Sequence, residues 1–313
     1  MANSSAPVAK LQPGDTIGLC APAGPVPHEE LAAGIAMLQA RGYRTIVAEG
    51  VSGSVAPFPY LANDDEVRFS GLQALLNNPE VKLVLCVRGG YGTQRLYPWL
   101  PDLTTRHYQK ILCGYSDITG LHTALRCNVS RIHGPNLSTL LAMDTSSSDW
   151  FWSLLEYPTS PIQLPATTET IDVLVPGKTV GTLEGGNLCL LAHSCGTRFQ
   201  PQFSGCIVLL EDVGEPLYRI DRFLTQLLNS GAFHGVAGIV AGTVSPSAGS
   251  TESCEPQQLR QLWMDRLAPL GVPVVSGCRF GHISNPLALP LGLPAVLDTQ
   301  TRCITLLASI TTE

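Results

Sequence analysis

Lys110-Ile-Leu-Cys-Gly-Tyr-Ser116-Asp-Ile-Thr-Gly-Leu-His122 is the stretch whose reading decides the fold. Its apolar start, Ile111 to Cys113, reads as a short buried strand. Gly114 permits a sharp backbone turn, and Ile118, Leu121 and Leu125 then repeat at helical spacing. Strand, tight turn and helix place Ser116 at the turn, which is how a nucleophile elbow is built. A serine that merely caps the following helix is the more ordinary use of the same residue, and the stretch alone leaves both roles open.

Upstream, the same alternation recurs. Ile17 to Ala21 reads as a strand, Glu29 to Arg41 as a helix stopped by Gly42, and Tyr43 to Ala48 as a second strand. Asn63 with Glu66 resembles a capping box opening a helix whose apolar side is Val67, Leu72, Leu75 and Leu76. Lys82 to Val87 is apolar apart from its first residue, as expected of a strand covered on both faces, and it runs into Arg88-Gly-Gly-Tyr-Gly92. With Val129 to Ile132 as a fifth strand, the pattern predicts an α/β fold with an open, mostly parallel sheet. Ligands of such sheets bind beyond the carboxyl ends of the strands, the edge where Arg88–Gly92 and Ser116 fall.

A linker is expected at Tyr157-Pro-Thr-Ser-Pro-Ile-Gln-Leu-Pro-Ala-Thr-Thr, giving a domain over 1–157, a linker over 158–171 and a second domain over 172–313. Strands at Val180 to Leu183 and Cys206 to Leu210 precede Glu184-Gly-Gly-Asn187 and Glu211-Asp212-Val-Gly-Glu215. Tyr218 to Ser230 shows the clearest helical stripe, Ile220, Phe223, Leu224, Leu227 and Leu228. A helix over Pro256 to Leu267 and strands at Gly238 to Ala241, Pro273 to Ser276 and Arg302 to Leu307 complete the pattern.

Composition narrows the function. Among 313 residues, 44% are hydrophobic and only 14% charged, which describes a packed globular chain. The net charge is −6 with no basic run, so nucleic acid is not an expected partner. No basic segment with an apolar core opens the chain, and no apolar run approaches the ~20 residues that span a bilayer, so neither a signal peptide nor a membrane partner is expected. The ten cysteines are scattered without a Cys-x-x-Cys pair, and free thiols in apolar strands fit a reducing, cytoplasmic setting. Neither phosphate-loop pattern occurs around Arg88–Gly92, and no His-Glu-x-x-His motif suggests a metal.

Three segments share one plan, an apolar strand ending in a reactive side chain: Ser116, Glu211 and His282. A serine hydroxyl needs a base to take its proton, and the base needs a carboxylate to orient it and stabilise its cation. Each residue also has a quieter explanation: Glu211 could pair with Arg219, and His282 is one of seven histidines.

Five segments together resemble the LD-carboxypeptidases (murein tetrapeptide carboxypeptidases), a family of serine peptidases: Val87–Gly92, Gly114–Thr119, Gly181–Leu188, Leu209–Pro216, and Phe280-Gly-His282 with Leu289–Gly292. The resemblance implies an N-terminal α/β domain carrying the serine and a C-terminal β-rich α/β domain carrying the other two groups, with the active site at the interdomain cleft. It implies Ser116 as nucleophile, His282 as base, Glu211 as its orienting acid with Glu215 as a second candidate, and the backbone N–H groups of Gly90 and Asp117 as oxyanion hole. Arg88 and Tyr91 are candidate substrate contacts, Arg88 for the terminal carboxylate. The implied reaction releases terminal D-alanine from a murein tetrapeptide through an acyl-enzyme, without metal or organic cofactor, in a cytoplasmic homodimer that recycles wall fragments. Two other readings are a microcin-immunity-type peptidase of the same fold, cleaving acyl-sulfamoyl-adenylates over an aromatic platform in the C-terminal loops, and a non-catalytic two-domain binding protein.

Overall fold

The computed structural model describes residues 8–52, 56, 58–165, 171–246 and 254–313. The extreme N-terminus (residues 1–7) and residues 166–170 of the expected linker lie outside them. The chain divides into two compact units, Met1–Pro158 with Ala288–Pro290 and Ile310–Glu313, and Thr159–Leu287 with Leu291–Ser309. Both are mixed α/β.

In the first unit, elements run β1 (Val8–Ala9), β2 (Thr16–Cys20), α1 (His28–Ala40), β3 (Arg44–Val47), α2 (Asp65–Asn77), β4 (Val81–Cys86) and β5 (Tyr108–Gly114). They continue with α3 (Thr119–Ala124), β6 (Val129–His133), α4 (Leu137–Ala142) and α5 (Thr145–Glu156). Five strands form a parallel sheet in the spatial order β3-β2-β4-β5-β6. Ile17, Leu19, Leu83, Val84, Leu85, Ile111 and Leu112 are wholly buried, because helices cover the sheet on both faces. Small residues set the closeness of that cover: a Cβ on Gly18 of β2 would stand 2.8 Å from a Leu75 methyl carbon on α2. Counted along the chain, the parallel strands lie in the order 2-1-3-4-5, which reverses direction between β2 and β4 and opens a crevice at their carboxyl ends.

In the second unit, β7 (Ile162–Gln163), β8 (Asp172–Val175), β9 (Lys178–Asn187), α6 (Leu188–His193), β10 (Cys206–Val213), α7 (Leu217–Asn229), β11 (Gly238–Ser245), α8 (Pro256–Leu267) and β12 (Val274–Ser276) come first. After them, β13 (Leu289–Leu291) joins the edge of the first sheet beside β6, β14 (Pro294–Asp298) and β15 (Cys303–Leu306) belong to the second sheet, and β16 (Thr311–Thr312) pairs with β1. Strands β9 to β12 are parallel neighbours, bordered by antiparallel β14, β15 and β7 on one side and β8 on the other. The predicted stripe of α7 buries Ile220, Phe223, Leu224 and Leu227 against Leu188, Val208, Leu210 and Trp263, and Leu228 is only partly buried.

One local expectation is corrected. The cap of α2 is Asp64, whose carboxylate accepts from Val67 N at 2.9 Å, while the amide oxygen of Asn63 accepts from Asp64 N. Asp64 is the residue directly before the first helical turn, so its carboxylate reaches that turn's free N–H groups, while the Asn63 side chain, one residue earlier, bonds to Asp64 N. No helix among the described residues is long and apolar enough to cross a membrane.

Gly185 shows how tightly the second sheet is drawn. It lies at φ +119° in β9, and a Cβ there would fall 2.1 Å from Leu209 O on β10. Left-handed strain and overpacking each cost about 1–3 kcal/mol. Gly185→Ala is therefore expected to destabilise the protein by about 3 kcal/mol or more, read as a drop in the urea unfolding midpoint. A change below about 1 kcal/mol, within the range of ordinary surface substitutions, would mean that β9 and β10 separate easily.

Candidate active site

Ser116 stands at the carboxyl end of β5. Gly114 is required before it, since a Cβ there would press to 2.8 Å from Asn136 Oδ1 and 2.9 Å from Ile118. The carbonyl of Gly114 accepts from Nε2 of His122 at 2.8 Å. Burial pushes the pKa of that imidazole down to about 3, so it is neutral and carries its proton on the donating nitrogen. Ser116 itself has φ +64°, in the left-handed region a serine rarely adopts. It is the first residue of a 3-10 turn, Ser116–Ile118, that leads into α3. The cap positions of the turn and of α3 are Tyr115 and Ile118, and neither makes a side-chain cap bond. The strand-turn-helix form of an elbow is thus present, and the assigned cap positions fall on either side of Ser116 rather than on it.

The loop after β4 comes directly against this serine. A Cβ on Gly89 would sit 2.8 Å from Ser116 Cβ and 3.1 Å from its Oγ, and Gly90 follows at φ +101°. Two devices hold the loop. Thr93 N donates to the Asp117 carboxylate at 2.7 Å while the Thr93 hydroxyl donates to Asp117 O at 2.6 Å, so the serine turn is bolted to the loop's end. Asp117 is buried, and burial raises its pKa despite those two bonds. The second device is Arg68, whose guanidinium is fully buried and donates to the carbonyls of Pro22, Asn63 and Gly92 and to Asp65. A Cβ on Gly92 would stand 2.6 Å from that guanidinium. Gly24 N donates to Gly89 O at 2.9 Å, joining the loops after β2 and β4 at the crevice. Arg88 is exposed, with one bond to Pro25 O at 3.2 Å, and Tyr91 is half-exposed. Arg88, Gly90, Tyr91, Ser116 and Asp117 thus share one edge of the first sheet.

In the second unit, Glu211 near the carboxyl end of β10 is fully buried and accepts from His282 Nδ1 through Oε2 at 2.7 Å. Several features aim the two groups. The register between β10 and β11 slips by one residue opposite Glu211, where two residues of β10 span three of β11, a bulge that redirects a side chain. The Phe280 ring packs on Gly242 of β11, where a Cβ would stand 2.9 Å away. Gly281, at φ +87°, gives way to the Glu211 carboxylate, which lies 2.4 Å from where a Cβ would be. The loop is closed by Leu287 N donating to Arg279 O at 2.8 Å and by the Arg279 guanidinium donating to Asn285 O.

Neighbouring Asp212 is buried as well. It accepts from Asn187 Nδ2, Cys189 N and Val213 N, and so ties β9, the start of α6 and β10 together. Burial first, and then the Glu211 charge, raise its pKa to about 7. Glu215, the second acidic candidate, instead pairs with Arg219 at 2.7 Å. Of the two candidate acids, Glu211 is therefore the one hydrogen-bonded to His282. Arg68, Thr93 and Asp212 were not singled out in the sequence. Arg68 alone had left a signal there, a charged residue in register with Leu72 and Leu75 on an apolar helix face. Among the described residues, no group of three or more His, Cys, Asp or Glu side chains could hold a metal ion.

Burial lowers the pKa of His282, but the Glu211 charge and hydrogen bond, with Asp212 behind them, raise it further, for a net rise above 6.5. A raised folded-state value means that the protonated pair adds stability below the unfolded value of about 6.5, and that this stability fades as pH rises through the folded value. Glu211→Gln removes the largest raising influence. The His282 ring resonance, followed by NMR, is then expected to titrate at lower pH than in the wild type. An unchanged or higher midpoint would show that Glu211 does not act on the ring.

Residues 17–134 match the family described as LD-carboxypeptidase N-terminal domain, and residues 180–297 match the LD-carboxypeptidase C-terminal domain. A Streptomyces coelicolor protein named as a carboxypeptidase is 40% identical over 307 residues, 95% of each chain. The murein tetrapeptide carboxypeptidase of Pseudomonas aeruginosa is 30% identical over 305 residues, 90% of this chain and 92% of its own. Among solved structures, a muramoyltetrapeptide carboxypeptidase from Oxalobacter formigenes superposes with TM-score 0.78 at 28% identity, covering 95% of this chain and all of the other. The microcin C7 self-immunity protein in complex with aspartyl sulfamoyl adenosine superposes with TM-score 0.80 at 21% identity, covering 98% and 99%.

Proposed function

The chain belongs to the LD-carboxypeptidase family, and from that premise we propose that it is a serine carboxypeptidase releasing terminal D-alanine from murein tetrapeptide. The observation that carries the mechanism is the hydrogen bond between buried Glu211 and His282, a carboxylate-held imidazole of the kind a serine nucleophile needs. In this reading the N-terminal domain, 1–157, supplies the nucleophile. A linker over 158–171 leads to the C-terminal domain, 172–313, which supplies the base and its acid.

Ser116 attacks the carbonyl between the L-configured centre of diaminopimelate or lysine and D-alanine. His282 takes the serine proton through Nε2, because Nδ1 is engaged with Glu211. The developing oxyanion is received by the backbone N–H groups of Gly90 and Asp117, which act as fixed donors. His282 then passes its proton to the leaving amine of D-alanine, and an acyl-enzyme remains for water to cleave. Arg88, an exposed cation on the same sheet edge, would hold the free carboxylate that makes the enzyme a carboxypeptidase, and Tyr91 would be a further substrate contact. The related structure from Oxalobacter formigenes is named for a muramoyltetrapeptide, a peptide joined to an amino sugar, and the substrate proposed here would carry the same group. The proposal extends to a homodimer acting in the cytoplasm on imported wall fragments.

The microcin-type neighbour fits the alternative reading through the fold only. At 21% identity that neighbour shares the fold alone, and Trp263, the C-terminal tryptophan, is 2% exposed within α8 and offers no surface to a nucleobase.

Purified protein is expected to release D-alanine from monomeric tetrapeptide, with no loss on adding EDTA. Ser116→Ala is expected to lower turnover by about 10⁴-fold or more while the circular dichroism spectrum stays unchanged. Release that survives the substitution, or that chelation removes and zinc restores, would refute the mechanism.

A further inference from the structure

Phe58 and Tyr60 have no part in the reading above, and with Tyr91, a candidate substrate contact, they form one aromatic cluster. Phe58, Tyr60 and Tyr91 are 43%, 48% and 50% exposed, high values for large apolar groups. They are also ordered on one another. The Phe58 and Tyr60 rings stack at 5.3 Å with planes 7° apart, and Tyr91 meets Tyr60 edge-on at 5.6 Å and 75°. A contiguous exposed apolar surface of this kind marks a place where something docks.

Its position says what. Tyr91 directly follows the candidate oxyanion residue Gly90. The segment bearing Phe58 and Tyr60 is a turn closed by Leu61 N donating to Phe58 O, and Ala62 N donates to Ala23 O in the loop after β2. The Tyr60 carbonyl lies 3.5 Å from where a Cβ on Gly24 would be. All three rings therefore belong to the loop cluster on the serine's sheet edge, on the β2 side of it. From β5 to β2 is two strand spacings, about 10 Å. Three extended residues, from the scissile bond to the sugar end of a murein peptide, span about the same length.

We propose that Phe58, Tyr60 and Tyr91 form a saccharide platform that receives the amino-sugar end of the substrate while its D-alanine end lies at Ser116. The inference rests on the murein-peptide reading given above. The peptide portion is charged and has no ring to stack. The apolar C–H face of a pyranose packs on an aromatic ring, and its hydroxyls find partners in the two phenols at the ring edges. Tyrosine offers both at small entropic cost, having two side-chain torsions.

The test compares two substrates and a ligand without peptide. D-alanine release is measured from free tetrapeptide and from the disaccharide tetrapeptide, using wild type, Phe58→Ala and Tyr60→Ala, with Tyr60→Leu as a variant that keeps bulk but loses the ring. The expected result is a rise of about tenfold in KM for the disaccharide tetrapeptide alone, with kcat and the free tetrapeptide unaffected, as fits the loss of one aromatic contact. Equal losses on both substrates, or on neither, would overturn the platform. Separately, binding of the peptide-free disaccharide N-acetylglucosaminyl-N-acetylmuramic acid is followed by NMR and set against adenosine. Disaccharide binding that Tyr60→Leu weakens supports the proposal even if the wild type releases no D-alanine, an outcome that would refute only the proposed activity. No disaccharide binding, or a preference for adenosine, would overturn the saccharide assignment.

Discussion

One buried cation organises the serine's surroundings. Arg68 is an arginine removed entirely from water, which is costly unless every donor finds a partner. Its guanidinium reaches carbonyls of the loop after β2, the segment before α2 and the loop after β4, together with the Asp65 carboxylate. Loops are ordinarily the freest parts of an α/β sheet, yet here three of them share a single rigid fork whose planar geometry fixes their spacing. The glycines follow from that arrangement. Gly92 must lack a side chain because the guanidinium occupies the space, and Gly89 must lack one because Ser116 does. A backbone that approaches the Ser116 side chain this closely is held from behind, and Arg68 does the holding.

The second unit meets the same demand by other means. Glu211 lies on a strand whose neighbour carries an extra residue opposite it, and His282 lies on a short loop pinned by Arg279 and by the Phe280 ring. Two adjacent buried acids then divide the labour. Asp212 takes backbone and amide donors and joins β9, α6 and β10, while Glu211 is turned toward the imidazole. With its own pKa near 7, Asp212 sheds much of its charge close to neutrality, which limits the repulsion that two carboxylates side by side would otherwise exert.

The α/β character was legible in the sequence because buried parallel strands are unbroken apolar runs, and Leu83 to Cys86 or Ile207 to Leu210 can hardly be read otherwise. The amphipathic stripe of α7 was legible for the same reason. Of the strands bordering the second sheet, β15 was read, as Arg302 to Leu307, but β7, β8 and β14 were not. β14 alternates buried with exposed or part-exposed residues over only five positions, and β8 and β7 are shorter still, so their pairing depends on neighbours far away in sequence. Helices α4 and α5 escaped notice: α4 is only six residues long, and α5 opens on Thr-Ser-Ser-Ser before its apolar residues begin. Around the site, Ser116, Glu211 and His282 stood out because each ends or follows an apolar run. The supports Thr93 and Asp212 did not, as nothing local separates a buried threonine or aspartate from one in a surface turn. The left-handed Ser116 backbone likewise lies in a turn closed by Gly89, against Ser116, and by Asn136, against Gly114 and Tyr115, which only the folded chain brings near.

The order in which the units are threaded has a consequence for how this protein is made. The first sheet takes its outer strand, β13, from residues 289–291, and Trp150 Nε1 donates to Ala288 O at 2.8 Å. β1 finds its partner only at residues 311–312. A ribosome releasing this chain from its N-terminus therefore exposes the β6 edge and an unpaired β1 for as long as the second unit is being synthesised. The half that carries Ser116 cannot finish folding before the half that carries His282 exists. A chain interrupted in translation would leave the serine turn on an incomplete sheet, with an open edge for chaperones or proteases to find.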